Sequence, residues 1–210
     1  MKKTLFLLLS ILLIKQVAFS QTTFGFDAGG NLAYQRVGYT SLSSTKEHLN
    51  TSTVAGGQFG IFYKLKMNKH LTLASELNFS LIGARQEYIS KEYTDSSFEY
   101  HKTNQRLGYI EVPVTLQYNI GSFYVGAGPG VSFKVYTKGI EPSYNAIFQT
   151  VDVSANLLAG YKITKKWDIN ARYTYGLLDI TKAGYEYYYG GTKQTLNNRF
   201  VSLVLLYDLK

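Results

Sequence analysis

The chain has 210 residues, a formal net charge of +8, 19 tyrosines and no cysteine. Without cysteine there is no disulfide framework, no thiolate metal site and no lipid-carrying cysteine. The positive charge does not indicate nucleic acid as a partner, because Lys2, Lys3 and Lys15 fall in an N-terminal leader and Lys69, Lys165 and Lys166 in turns, with no basic helix or nucleic-acid module.

Met1, Lys2 and Lys3 precede a short apolar run, Leu5–Ile14, then Ala18, Phe19 and Ser20. A basic start, an apolar stretch and small residues before the break describe a secretory signal peptide over 1–20, cleaved near Ser20. Residues 21–210 are then one domain.

From Phe24, residues Phe24, Phe26, Ala28, Leu32 and Tyr34 alternate with Gly25, Asp27, Asn31, Ala33 and Gln35, which predicts a first strand. Residues 40–52 are polar and aperiodic and read as a loop. The second strand, near 54–67, sets Phe59, Ile61, Tyr63 and Leu65 against Gln58, Gly60, Lys64 and Lys66. After the short turn Asn68, Lys69, His70, a third strand sets Leu73, Leu77, Phe79 and Leu81 against Ala74, Glu76, Asn78 and Ser80. Residues 89–105 read as a second long loop.

The clearest stretch is 107–133, LGYIEVPVTLQYNIGSFYVGAGPGVSF. Ile110, Val112, Val114, Leu116 and Tyr118 oppose Glu111, Pro113, Thr115, Gln117 and Asn119. After a tight turn, Phe123, Val125, Ala127, Val131 and Phe133 oppose Tyr124, Gly126, Gly128, Gly130 and Ser132. These are the fourth and fifth strands, each about the length that crosses a bilayer at a tilt. Residues 137–147 form a third long loop. The sixth strand carries Val151–Tyr161, the turn Thr164, Lys165, Lys166 follows, and the seventh starts at Trp167. A fourth long loop covers 181–194, and Val201, Leu203, Leu205, Tyr207 and Leu209 mark the eighth strand.

Eight strands with connections alternating long and short predict an all-β fold, an eight-stranded antiparallel up-and-down transmembrane β-barrel. The mean hydropathy of −0.11 fits, since only every second residue of a barrel strand meets lipid. Closure is required in lipid, where an open sheet edge would leave backbone groups unpaired. The register places Leu77, Phe79, Val112, Val114, Leu116, Val125, Tyr173 and Leu205 toward lipid. An arginine at Val114 is expected to cost ~2–4 kcal/mol of insertion stability, and one at Thr115 need not.

The segments 73–80 (LASELNFS) with Gly83, 109–118 (YIEVPVTLQY) and 123–129 (FYVGAGP) resemble the PorT-like outer-membrane β-barrel family of Bacteroidota. The resemblance is strongest over 71–133. It implies an eight-stranded architecture like that of OmpX and OmpA, an outer-membrane location and, for some relatives, a part in type IX secretion.

The inward stripe carries Asp27, Lys64, Glu76, Glu111, Lys134, Asp152 and Arg172. An eight-stranded lumen is just wide enough for side chains to fill it. Mixed charges there are expected to pair into a plug, since a lone buried charge costs several kcal/mol. Phe62, Tyr124, Tyr136 and Leu158 are expected to occupy the room left by Gly126, Gly128 and Gly130. Those glycines lie inside a strand pattern with no following helix, so a phosphate loop is excluded.

His48, His70 and His101 stand singly, with neither metal spacing nor a catalytic partner. No catalytic residue, metal site or cofactor is expected. Tyr88, Tyr93, Phe98, Tyr100, Tyr185, Tyr187, Tyr188 and Tyr189 crowd the outer end as rim aromatics. The expected partners are outer-membrane lipid, lipopolysaccharide and envelope proteins, and no nucleic acid. The leading expectation is a non-enzymatic barrel with a structural or interaction role through its extracellular loops. An envelope-assembly component comes second, ahead of a lipid-modifying enzyme or a small-solute channel.

Overall fold

The computed structural model describes residues 22–40, 48–50, 52–91, 98–138, 148–181, 188–189 and 192–209. The leader expected over 1–20 lies outside them. The described residues form ten strands and no helix: β1 (Thr22–Thr40), β2 (His48–Asn50), β3 (Ser52–Lys66), β4 (Leu71–Lys91), β5 (Phe98–Ile120), β6 (Phe123–Lys138), β7 (Val151–Lys162), β8 (Trp167–Gly176), β9 (Tyr188–Tyr189) and β10 (Thr192–Asp208). All belong to one antiparallel sheet, and β1 pairs with β10 to close it. That ladder runs from Gly25↔Asp208 to Thr40↔Lys193, so no edge is exposed along it. The short β2 continues the β3 side of β1, and β9 continues the β8 side of β10. Ten strands thus make eight staves, the eight-stranded barrel that the alternation predicts.

Three short turns gather at the end where the closing ladder begins at Gly25↔Asp208, and each has its own device. Asn68 caps the first, its side-chain oxygen accepting from the backbone of His70 at 2.8 Å and Leu71 at 2.9 Å. Thr164 does the same for Lys166 and Trp167, both at 3.1 Å. Between β5 and β6 the turn is two residues, and Gly121 takes the positive φ of 62° that its first position requires.

The distribution of side chains is inverted relative to a protein in water. Phe59, Phe123, Leu157, Leu203 and Phe26 are exposed, while Asp27, Asn31, Asn78, Asn156, Asn170 and Arg172 are buried. Water as the outer solvent would make this belt a severe liability, whereas a bilayer is matched to it. At the turn end an aromatic girdle bounds the belt. Phe123 packs on Tyr161 and Trp167 on Tyr207, each with ring centroids 4.7 Å apart.

Two expectations change. Most of 89–105, read as a loop, is strand, with β4 and β5 paired out to Lys91↔Phe98; β1 runs on to Thr40 and β10 begins at Thr192, and most of the other three expected loops lies outside the described residues. Beyond the apolar belt the hydrophobic alternation of the sequence ends while the backbone ladder continues. Tyr136 is also misplaced in the lumen by simple alternation. Tyr109 pairs with Lys134 but Gly108 pairs with Tyr136, so Val135 is an extra, bulged residue that flips the parity beyond it. Tyr136 therefore lies on the outer face, over Gly108 and beside Phe79.

Candidate functional site

The interior is built in layers. Nearest the short turns, Lys64 donates to Asp168 at 2.7 Å and reaches Asp208 at 3.4 Å, with its ammonium 4.5 Å from the Phe62 ring centroid. Asn119 ties this end together, donating to Thr72 Oγ1 at 3.0 Å and accepting from Lys162 at 3.1 Å. Phe62, Val204 and Leu206 form an apolar band beside it.

In the middle Arg172 donates to Glu76, both fully enclosed. Asn78 donates to the other Glu76 oxygen and Ser80 to Glu111, each at 2.8 Å. Thr174 donates to Asn156 at 2.8 Å. Each residue sits at an inward position of its strand, and the registers Asn78↔Glu111 and Leu158↔Arg172 bring the groups into reach. Asp27 shares this layer, buried at an inward position of β1.

Toward the other end Asn198 donates to Tyr109 at 3.2 Å and to Asp152 at 3.1 Å. The void beside Tyr109, Glu111 and Asp152 measures about 10 Å³, room for about one water molecule. Above it Ala33, Ile82, Leu107, Phe148, Ile180 and Phe200 close the lumen as an apolar lid. Lys134 donates to the Phe148 carbonyl at 3.1 Å and so anchors that lid from within.

All seven charged residues singled out on the inward stripe thus lie at lumen-facing positions, and they fall into separate groups. Lys64 joins Asp168, Arg172 joins Glu76, and Lys134 serves the lid. Asp168, Asn198 and the two apolar bands were missed by sequence reasoning. Val204 and Leu206 hide in a continuous apolar run, and Phe148 and Ile180 are isolated apolar residues in polar stretches.

Tyr124 and Leu158 fill the lumen as expected, Tyr124 lying over Gly160, where any Cβ would run into its ring. Gly126 borders Gln117 and Leu158, whereas Gly130 makes room for Asn156 and Ser154. Gly128 presses against the neighbouring β5 backbone at Val114. Thr115 is fully buried between such neighbours, so the expectation that an arginine is tolerated there is withdrawn.

His70 lies in a short turn, stacked on Tyr118 at 5.5 Å. Among the described residues no group of His, Asp and Glu could hold a metal ion. Of the rim aromatics, Tyr88 lies on β4, Phe98 and Tyr100 on β5, and Tyr188 and Tyr189 form β9. Tyr93, Tyr185 and Tyr187 lie outside the described residues.

A closed ladder, an apolar exterior belt bounded by aromatics and a polar interior define an outer membrane β-barrel. The chain belongs to the outer membrane protein beta-barrel domain family, whose model matches residues 18–182. No curated protein matches the sequence. Among solved structures the chain is similar to Ail, the attachment invasion locus protein of Yersinia pestis, at 14% identity and a TM-score of 0.40 over 90% of this chain and 99% of that one. It is similar also to Neisserial surface protein A, at 15% identity and a TM-score of 0.44, with 88% and 97% covered. A third is OprG from Pseudomonas aeruginosa, at 12% identity and a TM-score of 0.47, with 91% and 98% covered.

Proposed function

We propose that this is a non-enzymatic barrel that acts as a structural or interaction protein through its outer end. The observation that carries the reading is the division between a filled interior and a projecting exterior. Among the described residues the lumen is crossed by the Arg172–Glu76 pair, and Phe148 and Ile180 pack in an apolar cluster toward its outer end. The β4–β5 ladder meanwhile continues past the belt to Lys91↔Phe98 and presents a paired hairpin outside the membrane. A paired hairpin there offers backbone and aromatic positions for contact with another molecule.

The test replaces residues 88–101 by a two-residue turn. The shortened barrel should still fold and insert, because its belt and lumen are untouched. In cross-linked native envelopes the full protein should give a discrete adduct that the shortened one lacks. Identical adducts from both would refute the outer-end reading. The resemblance of 71–133 to PorT-like barrels supports a second, narrower reading, a component of an envelope assembly. A single large recurring partner in that adduct would favour it.

A further inference from the structure

The outward stripes of five staves end, just past the apolar belt, in a basic residue: Arg36 on β1, Arg85 on β4, Arg106 on β5, Lys138 on β6 and Arg199 on β10. Among residues with described side chains, no Asp or Glu stands at an outward strand position. Asp27, Glu76, Glu111, Asp152 and Asp168 are all buried inside. The sorting is by sign as well as polarity. Among residues with described side chains the strand acids face the lumen and the outward rim positions are basic, while Asp179, just past β8, is taken up by the backbone N–H groups of Thr181 and Leu196.

Two of these arginines converge. The β1–β10 register sets Tyr34 opposite Arg199 and Arg36 opposite Asn197, so the arginines stand on adjacent strands one outward step apart. Between them and the end of β8 lies a cleft of about 180 Å³, lined by Arg36, Tyr175, Leu177, Thr195, Asn197 and Arg199. The Arg199 guanidinium lies 4.2 Å from the Tyr175 ring centroid, which holds it in place, and its buried Nε has no hydrogen-bond partner. Asn197 is fixed by donating to the Leu178 carbonyl at 2.7 Å. Neither arginine has a carboxylate within ion-pair distance among the described residues.

The cleft opens outward rather than into the lumen. Leu177 on its wall and Val201 and Leu203 below it are exposed apolar residues of the belt. A ligand seated there has its charged part between the arginines and its apolar part against the barrel wall. Paired guanidinium forks match the oxygens of a phosphate group better than any other common headgroup chemistry. We propose that this cleft binds the phosphate of a lipid headgroup in the outer leaflet. The inference requires only the membrane placement and stands apart from the hairpin contacts proposed above.

The test uses the folded full-length barrel in phosphatidylcholine nanodiscs doped with bisphosphorylated lipid A, or with the same lipid A after its phosphates are removed. Native mass spectrometry counts the lipid retained. The wild type should retain the phosphorylated form roughly tenfold or more over the dephosphorylated form, as the loss of charge-assisted hydrogen bonds implies. Arg36→Gln with Arg199→Gln should abolish that preference, and Arg106→Gln with Lys138→Gln, an equal charge change elsewhere on the rim, should keep it. Equal retention of both lipids by the wild type would overturn the proposal, with no variant needed should one fail to fold. Equal loss in both double variants would replace the cleft by a diffuse basic rim. Displacement of the lipid by millimolar inorganic phosphate would make it a soluble-anion site.

Discussion

Removing Arg172 alone should destabilise the barrel more than removing Arg172 and Glu76 together. Both side chains are buried in the middle of the lumen and bonded to each other. Arg172→Met leaves Glu76 with only the Asn78 amide, at 2.8 Å, to balance a full charge. Breaking a buried pair from one side costs about 3–5 kcal/mol. Glu76 has one escape, taking up a proton, which from an ordinary glutamate pKa of about 4.3 costs roughly 3.7 kcal/mol at pH 7 and about 1 kcal/mol at pH 5. The loss should therefore approach ~4 kcal/mol at neutral pH and shrink on acidification. Glu76→Gln alone should cost less, because Arg172 keeps Asp27 and Glu111 as electrostatic neighbours. The double variant should lie within about 1–2 kcal/mol of wild type, a coupling of about 2 kcal/mol or more. The assay is urea unfolding in lipid vesicles, followed by the fluorescence of Trp167, the only tryptophan. A double variant no more stable than Arg172→Met would refute the reasoning, as would a single loss that ignores pH.

Val114→Arg places a charge on the exposed belt and should cost ~2–4 kcal/mol in the same assay, whereas Ile120→Arg, exposed at the rim beside the β5–β6 turn, should cost about 0–1 kcal/mol. Equal costs would mean that the belt has been set at the wrong height. Gly160→Val should cost about 1–3 kcal/mol by displacing the Tyr124 ring, and Tyr124→Leu should restore much of that loss. If the two losses simply add, the ring and the glycine are not in contact.

The register of the membrane-spanning part was legible because a bilayer outside and a narrow lumen inside impose opposite demands on alternate residues. Val112, Val114 and Leu116 against Glu111, Thr115 and Gln117 could be assigned from period two alone. The same reasoning failed where one demand lapses. Past Arg85 and before Gln105 the apolar alternation lapses, and β4 and β5 continue with nothing in their composition to show it. The bulge at Val135 was hidden because one extra residue leaves each half of β6 alternating correctly by itself. The lid is illegible for a different reason. Phe148 and Ile180 come from aperiodic segments joined through the Phe148–Thr181 bridge and the Gln149 to Ile180 backbone bond, with Lys134 donating to the Phe148 carbonyl. The basic cleft also needs the fold, since Arg36 and Arg199 are distant in sequence and meet only across the closing ladder.

The central claim is that the barrel is filled, and single-channel recording in planar bilayers tests it most directly. Phe62, Tyr124 and Leu158 occupy the lumen, the Arg172–Glu76 pair spans it, and Phe148 and Ile180 cover its outer end. An eight-stranded barrel is just wide enough for its side chains to fill, and these do so among the described residues. The purified protein should give at most small, brief conductance steps. Stable openings of porin size, or uptake of dye-sized solutes by liposomes that carry it, would contradict the account and make transport the leading function.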